Sequence, residues 1–162
     1  MKPAASLPRP LLGERAPAGL AAALLLTLLP ALLASQRAEA ADAGSPPLPV
    51  LIGSPGLPRI DAATAARLYT GRTIEVGGQP VTVVNAPPGS PLRQRFLAIY
   101  LQQDDDQYRA YWTVRRHVGK GAPPRELASG AEVIAHVLAN PGTVGYIDAG
   151  ELRAGLNVIL RP

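Results

Sequence analysis

The residues best suited to bind a ligand lie together in one turn, residues 85–93. Gly89 offers a backbone N–H, Ser90 a backbone N–H and a hydroxyl, and Arg93 a guanidinium group. Donors of these kinds bind phosphate and other oxyanions in proteins. The turn is therefore a candidate oxyanion site. The same residues also make a good helix start without any ligand, with Ser90 as N-cap and Pro91 at the first helical position.

The elements on either side of this turn would position its donors. Residues 81–84 form a β-branched run that predicts a strand, and residues 92–101 predict a helix with one apolar face. The free N–H groups and the positive end of the helix dipole then point into the turn. Arg93 opposes that dipole, and an anion or a carboxylate beside it would offset the cost. Chance placement of Arg93 on the surface is the alternative that we favour.

Strands and helices alternate along the rest of the chain, which predicts an α/β fold. Strands are predicted at residues 48–52, 73–76, 80–84, 143–147 and 156–160. Helices are predicted at residues 62–69, 92–101, 107–118 and 130–139, with the N-caps Asp61, Ser90, Asp106 and Ser129. The pair Gly77-Gly78 separates two of the extended runs, which indicates a small hairpin.

The run Asp104-Asp105-Asp106 is a second place where chemistry is conceivable, because clustered carboxylates can bind Ca²⁺. The residue spacing of a Ca²⁺ loop is missing, however. We expect a solvated loop whose last aspartate, Asp106, caps the following helix. In that helix Tyr111 and Trp112 form part of an aromatic stripe at helical spacing, which predicts core packing.

The N-terminal residues have the pattern of a secretory signal peptide. Lys2, Arg9 and Arg15 precede an apolar run at residues 20–33, and Ala38-Glu39-Ala40 supplies an A-x-A cleavage pattern. No Arg-Arg pair occurs in the basic segment, so Sec export with cleavage after Ala40 is expected. An uncleaved membrane anchor is the structural alternative, and it would be the chain's only link to a membrane.

The chain is therefore divided into a signal peptide at 1–40, a flexible, Pro-rich lead-in at 41–47 and one α/β domain at 48–162. The formal net charge is +4 for the whole chain, and half of it belongs to the leader. A charge this small is not typical of a nucleic-acid-binding protein. The chain contains no cysteine, so the exported domain must be stabilised by its core without disulfides.

The sequence lacks the residue patterns of common enzymes. It has no Gly-x-Ser-x-Gly elbow, no Walker A loop and no cysteine nucleophile, and no histidine can be assigned to Ser90 as a base. His117 and His136 lie on separate predicted helices without a metal-ligand neighbour at useful spacing. We therefore expect no catalytic residue, no metal ligand and no cofactor.

Several short phrases occur in an order that resembles the phosphate-type substrate-binding proteins of bacterial ABC transporters. They are LYTGR at 68–72, GSPLRQRF at 89–96, YW at 111–112, GKGAPPREL at 119–127 and NPGTVGYI at 140–147. The resemblance covers residues 48–147. It implies a single lobe of a type II periplasmic-binding-protein fold, with a mixed sheet of about five strands flanked by helices. It also implies a periplasmic, solute-binding-like protein that takes phosphate or a similar oxyanion.

Two departures from the family imply that such binding is weak. Asn85 stands about where the family has an arginine, and Ser90-Pro91-Leu92 replaces Ser-Gly-Thr. The ligand-binding residues carried over are therefore Asn85, Gly89, Ser90 and Arg93. Each lost charge-assisted hydrogen bond costs about 1.5–3 kcal/mol of binding. A single lobe also cannot enclose the anion as two lobes do.

The alternative is a non-transport interaction module in the periplasm that keeps the lobe fold without a ligand. Its open face would contact a protein partner or a second copy of the chain. This hypothesis predicts a sizeable exposed apolar patch where the missing lobe would have packed.

Overall fold

The structure, a computed structural model, describes residues 45–162. The predicted signal peptide, its cleavage after Ala40 and the first part of the lead-in lie outside the described residues. In the described part, residues 45–48 precede the first strand and belong to no helix or strand. No helix within residues 45–162 combines the length and the apolar character that crossing a membrane requires.

Strands and helices alternate from residue 49 onward. The strands are β1 (Pro49–Gly53), β2 (Glu75–Val76), β3 (Gln79–Pro80), β4 (Thr82–Asn85), β5 (Arg125–Glu126), β6 (Thr143–Asp148) and β7 (Asn157–Leu160). The α-helices are α1 (Ala62–Tyr69), α2 (Pro91–Phe96), α3 (Asp105–His117) and α4 (Gly130–Ala139). A π-helical turn (Leu97–Leu101) continues α2, and a short 3-10 helix (Ala149–Glu151) follows β6.

Five of the strands form one mixed sheet, in the order β5-β4-β6-β1-β7. β4 runs parallel to β5 and β6, whereas β1 is antiparallel to both β6 and β7. The prediction of a mixed sheet of about five strands flanked by helices is confirmed. The parallel directions place the C-terminal ends of β4, β5 and β6 at one edge of the sheet. That edge of an open α/β sheet is where ligands usually bind.

The two faces of the sheet carry separate hydrophobic clusters, because successive residues of a strand point to opposite faces. In β1, Leu51 packs with α1, α2 and α3, whereas Ile52 packs with α4. A Cβ on Gly145 in β6 would lie 2.5 Å from Val133 Cγ1 and 2.9 Å from Val84 Cγ2. Glycine at this position therefore allows α4 to lie close against the sheet.

Local sequence signals locate the helix starts well. Asp61, Ser90 and Ser129 each accept a hydrogen bond from the backbone N–H three residues later, so these three N-caps are confirmed. The prediction that Asp106 caps α3 is wrong. Asp104 is the N-cap, and it forms a capping box in which the Gln107 side chain accepts from the Asp104 N–H.

Two predictions about the strands also need correction. The hairpin around Gly77-Gly78 has arms of only two residues, β2 and β3, and residues 82–85 belong to the main sheet instead. β5 is not predicted at all, since two residues of a polar sequence carry no strand pattern. The aromatic prediction is confirmed in the core, where Trp112 is buried and Tyr111 is half-buried.

Candidate functional site

The turn at residues 85–93 joins the C-terminal end of β4 to the start of α2. Gly89 has a φ of 74°, a left-handed conformation that favours glycine, and Ser90 is extended at φ −66° and ψ 142°. The chain therefore reverses at Gly89 and enters α2 through Ser90. The predicted order of strand, turn and helix is present, and the turn lies at the edge of the sheet where β4 ends.

Ser90 uses its polar groups within the turn. Its backbone N–H and its hydroxyl both donate to the carbonyl oxygen of Pro87, at 3.2 and 2.8 Å. The hydroxyl oxygen accepts from the Arg93 N–H at 3.4 Å. Ser90 therefore closes the turn and caps α2, and a ligand would have to displace the bonds to Pro87 to gain a donor from it.

Asn85 lies beneath the turn and not on its surface. Its side chain is buried, and its Oδ1 accepts a hydrogen bond from the Tyr146 hydroxyl. The same hydroxyl oxygen accepts from the Ala86 N–H at 3.1 Å. Burial raises the pKa of Tyr146 well above its usual value, so this hydroxyl keeps its proton and its donor role. Asn85 thus holds the base of the turn in place.

Arg93 is buried, so the expectation of a surface position is wrong. Its side chain is only 2% exposed. The guanidinium Nε lies 2.6 Å from Asp105 Oδ1, and Nη1 lies 2.7 Å from Glu126 Oε1. Nη1 also donates to the Ala86 carbonyl oxygen at 3.0 Å. The sequence also allows a carboxylate beside Arg93, and the structure contains two.

The carboxylate of Asp105 contacts both remaining donors of the candidate site. Its Oδ2 accepts from the Gly89 N–H at 3.1 Å while its Oδ1 pairs with Arg93 Nε. The sequence predicts that Asp105 lies in a solvated loop. This prediction is wrong, because the Asp105 side chain is only 16% exposed. One feature of the sequence points to a carboxylate at this place. Arg93 lies in the first turn of a helix, where its positive charge is unfavourable unless a negative charge lies nearby.

Glu126 reaches Arg93 because of strand pairing that the sequence does not reveal. β5 pairs in parallel with β4, and the register sets Glu126 opposite Asn85. Its carboxylate remains 45% exposed. We define the Arg93 cluster as Arg93, Asp105, Glu126 and the Gly89 N–H. It contains one buried cation and two carboxylates, of which Glu126 is the more exposed.

Two grooves border the Arg93 cluster. Gly89 and Asp105 border a groove of about 660 Å³, and Arg93 and Glu126 border a smaller one of about 200 Å³. Tyr108 and Trp112 line the smaller groove, and the Tyr108 ring lies 5.4 Å from the Arg93 guanidinium carbon. The cluster can therefore be reached by small solutes although Arg93 itself is buried.

The two histidines of the described residues lie outside the Arg93 cluster. His117 lies at the end of α3 and His136 lies within α4, as predicted. Residues 45–162 contain no group of three His, Cys, Asp or Glu side chains that could hold a metal ion.

The comparisons define the class of fold. No protein-family model matches the chain, and no curated protein matches it by sequence. Solved structures do match. One is a phosphate ABC transporter substrate-binding protein from Clostridium perfringens with bound phosphate, at a TM-score of 0.55 and 16% identity. Another is an ABC-type phosphate transport receptor from Vibrio cholerae, at a TM-score of 0.53 and 15% identity.

A third structure, PstS from Borrelia burgdorferi, matches at a TM-score of 0.54 and 18% identity. Each match covers 70% of this chain but only 44%, 45% and 46% of the other chains. The chain therefore has the fold of about half of a phosphate-type substrate-binding protein. At such low identity the likeness shows the fold alone, and the use of Asn85, Gly89, Ser90 and Arg93 as ligand-binding residues stays a prediction.

Proposed function

We propose that this chain is a solute-binding-like protein related to phosphate-type substrate-binding proteins, and that it binds phosphate or a similar oxyanion weakly. One observation carries the proposal. The Gly89 N–H and Arg93 Nε converge on a single carboxylate, that of Asp105, at 3.1 and 2.6 Å. A backbone N–H that donates to one carboxylate oxygen and a guanidinium group that forms an ion pair with the other can also hold two oxygens of a phosphate.

The same observation is the reason that the binding is weak. An external oxyanion must displace Asp105 from Arg93, and it must approach Glu126, which stays on the other side of the guanidinium group. The Ser90 hydroxyl is already engaged with Pro87, and Asn85 is buried under the turn. The oxyanion therefore gains little net hydrogen bonding, and we expect a Kd of about 1 mM, which corresponds to about −4 kcal/mol.

We further propose that the protein acts in the periplasm and is not an enzyme. The support for export is the basic segment, apolar run and A-x-A pattern of residues 1–40. The support for a binding role is the fold shared with transporter substrate-binding proteins. Mass spectrometry of the protein from a periplasmic fraction should give a chain that begins at Ala41. A chain that retains residues 1–40 in the membrane fraction would contradict the cleavage.

The binding proposal is tested by NMR titration of the ¹⁵N-labelled protein with inorganic phosphate, at ionic strength held constant with chloride. We expect saturable shifts of the Gly89 amide and of the Arg93 Nε–H, with a midpoint of about 1 mM. Sulfate and molybdate titrations then report on selectivity. Arg93→Lys should abolish the shifts, because a lysine ammonium cannot replace the planar fork of donors.

Arg95→Lys is the matched control for this test, since Arg95 lies on the same helix and its side chain is exposed. It should leave the titration unchanged. Shifts that grow linearly with phosphate, or that respond equally to both substitutions, would show that phosphate does not bind at this site.

The second candidate function is a non-transport interaction module. It is favoured by one observation, that the chain's own groups already bond to the Gly89 N–H and the Ser90 hydroxyl and form ion pairs with Arg93. Its predicted apolar patch has little support in the described residues. The large hydrophobic side chains that are exposed there come from four segments, with two of them one helical turn apart at the end of α3: Leu48, Ile74, Val114, Val118 and Leu138. Light scattering that shows a monomer, with no phosphate titration either, would leave neither candidate supported.

A further inference from the structure

We propose that Asp105 is a built-in competitor that occupies the anion position of the Gly89–Arg93 site and sets its affinity for external oxyanions. This inference rests on the proposed function, because it concerns the regulation of the same site. The argument starts from Arg93. A guanidinium group that is only 2% exposed has lost its hydration, so it needs an anion beside it. The chain supplies this anion from a residue outside the turn.

Asp105 has the geometry of a resident ligand. Its Oδ2 accepts a hydrogen bond from the Gly89 N–H, and its Oδ1 forms an ion pair with Arg93 Nε that lacks hydrogen-bond geometry. A carboxylate that bridges a backbone N–H and a guanidinium group resembles one edge of a bound oxyanion, in which two oxygens share one central atom. The ligand class that can replace Asp105 is therefore an oxyanion or a carboxylate with two such oxygens.

The Asp105 side chain can be displaced without loss of the N-cap of α3, although Asp105 lies in the first turn of that helix. The N-cap is Asp104, whose side chain accepts from the Gln107 N–H at 2.7 Å. The Gln107 side-chain oxygen accepts a hydrogen bond from the Asp104 N–H, at 3.0 Å. Capping of the helix and pairing with Arg93 thus belong to two adjacent residues. Displacement of the Asp105 side chain would leave the helix start intact.

A second carboxylate keeps Arg93 paired when Asp105 is displaced. Glu126 Oε1 lies 2.7 Å from Nη1, a different nitrogen from the one that Asp105 contacts. An external oxyanion can therefore exchange with Asp105 while Glu126 stays in place. The groove of about 660 Å³ that Gly89 and Asp105 border gives the route of entry.

The experiment compares inorganic phosphate binding by the wild-type protein with that by Asp105→Asn and Asp105→Ala. Asp106→Asn and Asp106→Ala are matched controls, because Asp106 is the next residue, is 84% exposed and pairs only with Arg109 among the described residues. These controls remove the same charge without touching Arg93. We expect Asp105→Ala to bind phosphate about tenfold more tightly or better, which corresponds to about 1.4 kcal/mol. The Asp106 variants should bind as the wild type does.

Asp105→Ala leaves Arg93 short of one anion, so it is expected to unfold at a lower temperature. Thermal unfolding then gives a second readout of phosphate binding, which remains usable for a variant of reduced stability. Phosphate should raise the unfolding temperature of Asp105→Ala until the site is saturated. At equal ionic strength, the unfolding temperatures of the Asp106 variants should rise less. Equal rises in all of the variants would overturn the inference, because they would reflect general ion effects.

The outcomes separate this inference from the proposed function. Wild-type binding that Asp105 substitution leaves unchanged would overturn the competitor role and leave the function standing. Binding by the Asp105 variants alone would support the competitor role and overturn phosphate binding by the wild type. Absence of binding in every variant would overturn both.

Discussion

Replacement of Arg93 by methionine is the most direct test of the structure, because the sequence alone suggests a surface position for this residue. Methionine keeps much of the length of the side chain but removes the charge. The substitution leaves Asp105 and Glu126 without their shared cation and the Ala86 carbonyl oxygen without its donor. Removal of one partner of a buried ion pair costs about 3–5 kcal/mol.

The expected cost lies at the lower end of that range. Asp105 is 16% exposed and Glu126 is 45% exposed, so water can reach both carboxylates once Arg93 is gone. We therefore expect a loss of about 3 kcal/mol, a large share of the roughly 5–15 kcal/mol that stabilises a typical domain. With a urea dependence of about 1.5 kcal/mol per molar, the unfolding midpoint should fall by about 2 M.

Urea unfolding can be followed through the fluorescence of Trp112, which is the only tryptophan of the chain and is 5% exposed in the fold. Arg95→Met is the matched control, and its cost should stay within about 0.5 kcal/mol because Arg95 is exposed. Arg93→Lys should fall between the two, since it keeps the charge but not the fork of donors. A loss below about 1 kcal/mol for Arg93→Met, or equal losses for Arg93 and Arg95, would refute the buried cluster.

Further predictions concern stability. Asp104→Ala should cost about 1 kcal/mol of helix capping in urea unfolding, whereas Asp106→Ala should cost little, and the reverse order would restore Asp106 as the cap. Gly145→Ala should lower the free energy of unfolding by about 1–3 kcal/mol through overpacking, and an unchanged midpoint would contradict the close approach of α4. Burial raises the pKa of Tyr100 to about 12, and those of Tyr69, Tyr108 and Tyr146 also rise from a normal value of 10.0. The unfolded chain then releases these protons first, so stability should hold below pH 10 and decline above it, which a series of urea titrations at rising pH would check.

The sequence predicts those features of the fold that depend on near neighbours. Capping residues act within one helical turn, so Asp61, Ser90 and Ser129 reveal three helix starts correctly. Long β-branched or apolar runs likewise predict β1 and β6. By contrast, β5 has two polar residues and depends on pairing with β4, which no local pattern records.

In the candidate site too, the sequence predicts the local features but not the contacts between distant residues. The turn, its glycine and its serine cap follow from residues 85–93 themselves. The partners of Arg93 lie 12 and 33 residues further along the chain, and only the fold brings Asp105 and Glu126 to it. The sequence favours a surface position for Arg93, and the alternative of a neighbouring anion does not say whether a ligand or the chain would supply it.

The position of β1 in the sheet has a consequence for how the chain acquires its fold. β1 lies between β6 and β7, and Asn157 donates to the carbonyl oxygens of Ser54 and Leu57, which are 103 and 100 residues away. Contacts between such distant segments slow folding, because the intervening chain must lose entropy before they form. Refolding is therefore expected in milliseconds to seconds, and a microsecond phase in stopped-flow or temperature-jump experiments would contradict this. β1 therefore gains its second neighbouring strand only once β7, at residues 157–160, has been synthesised.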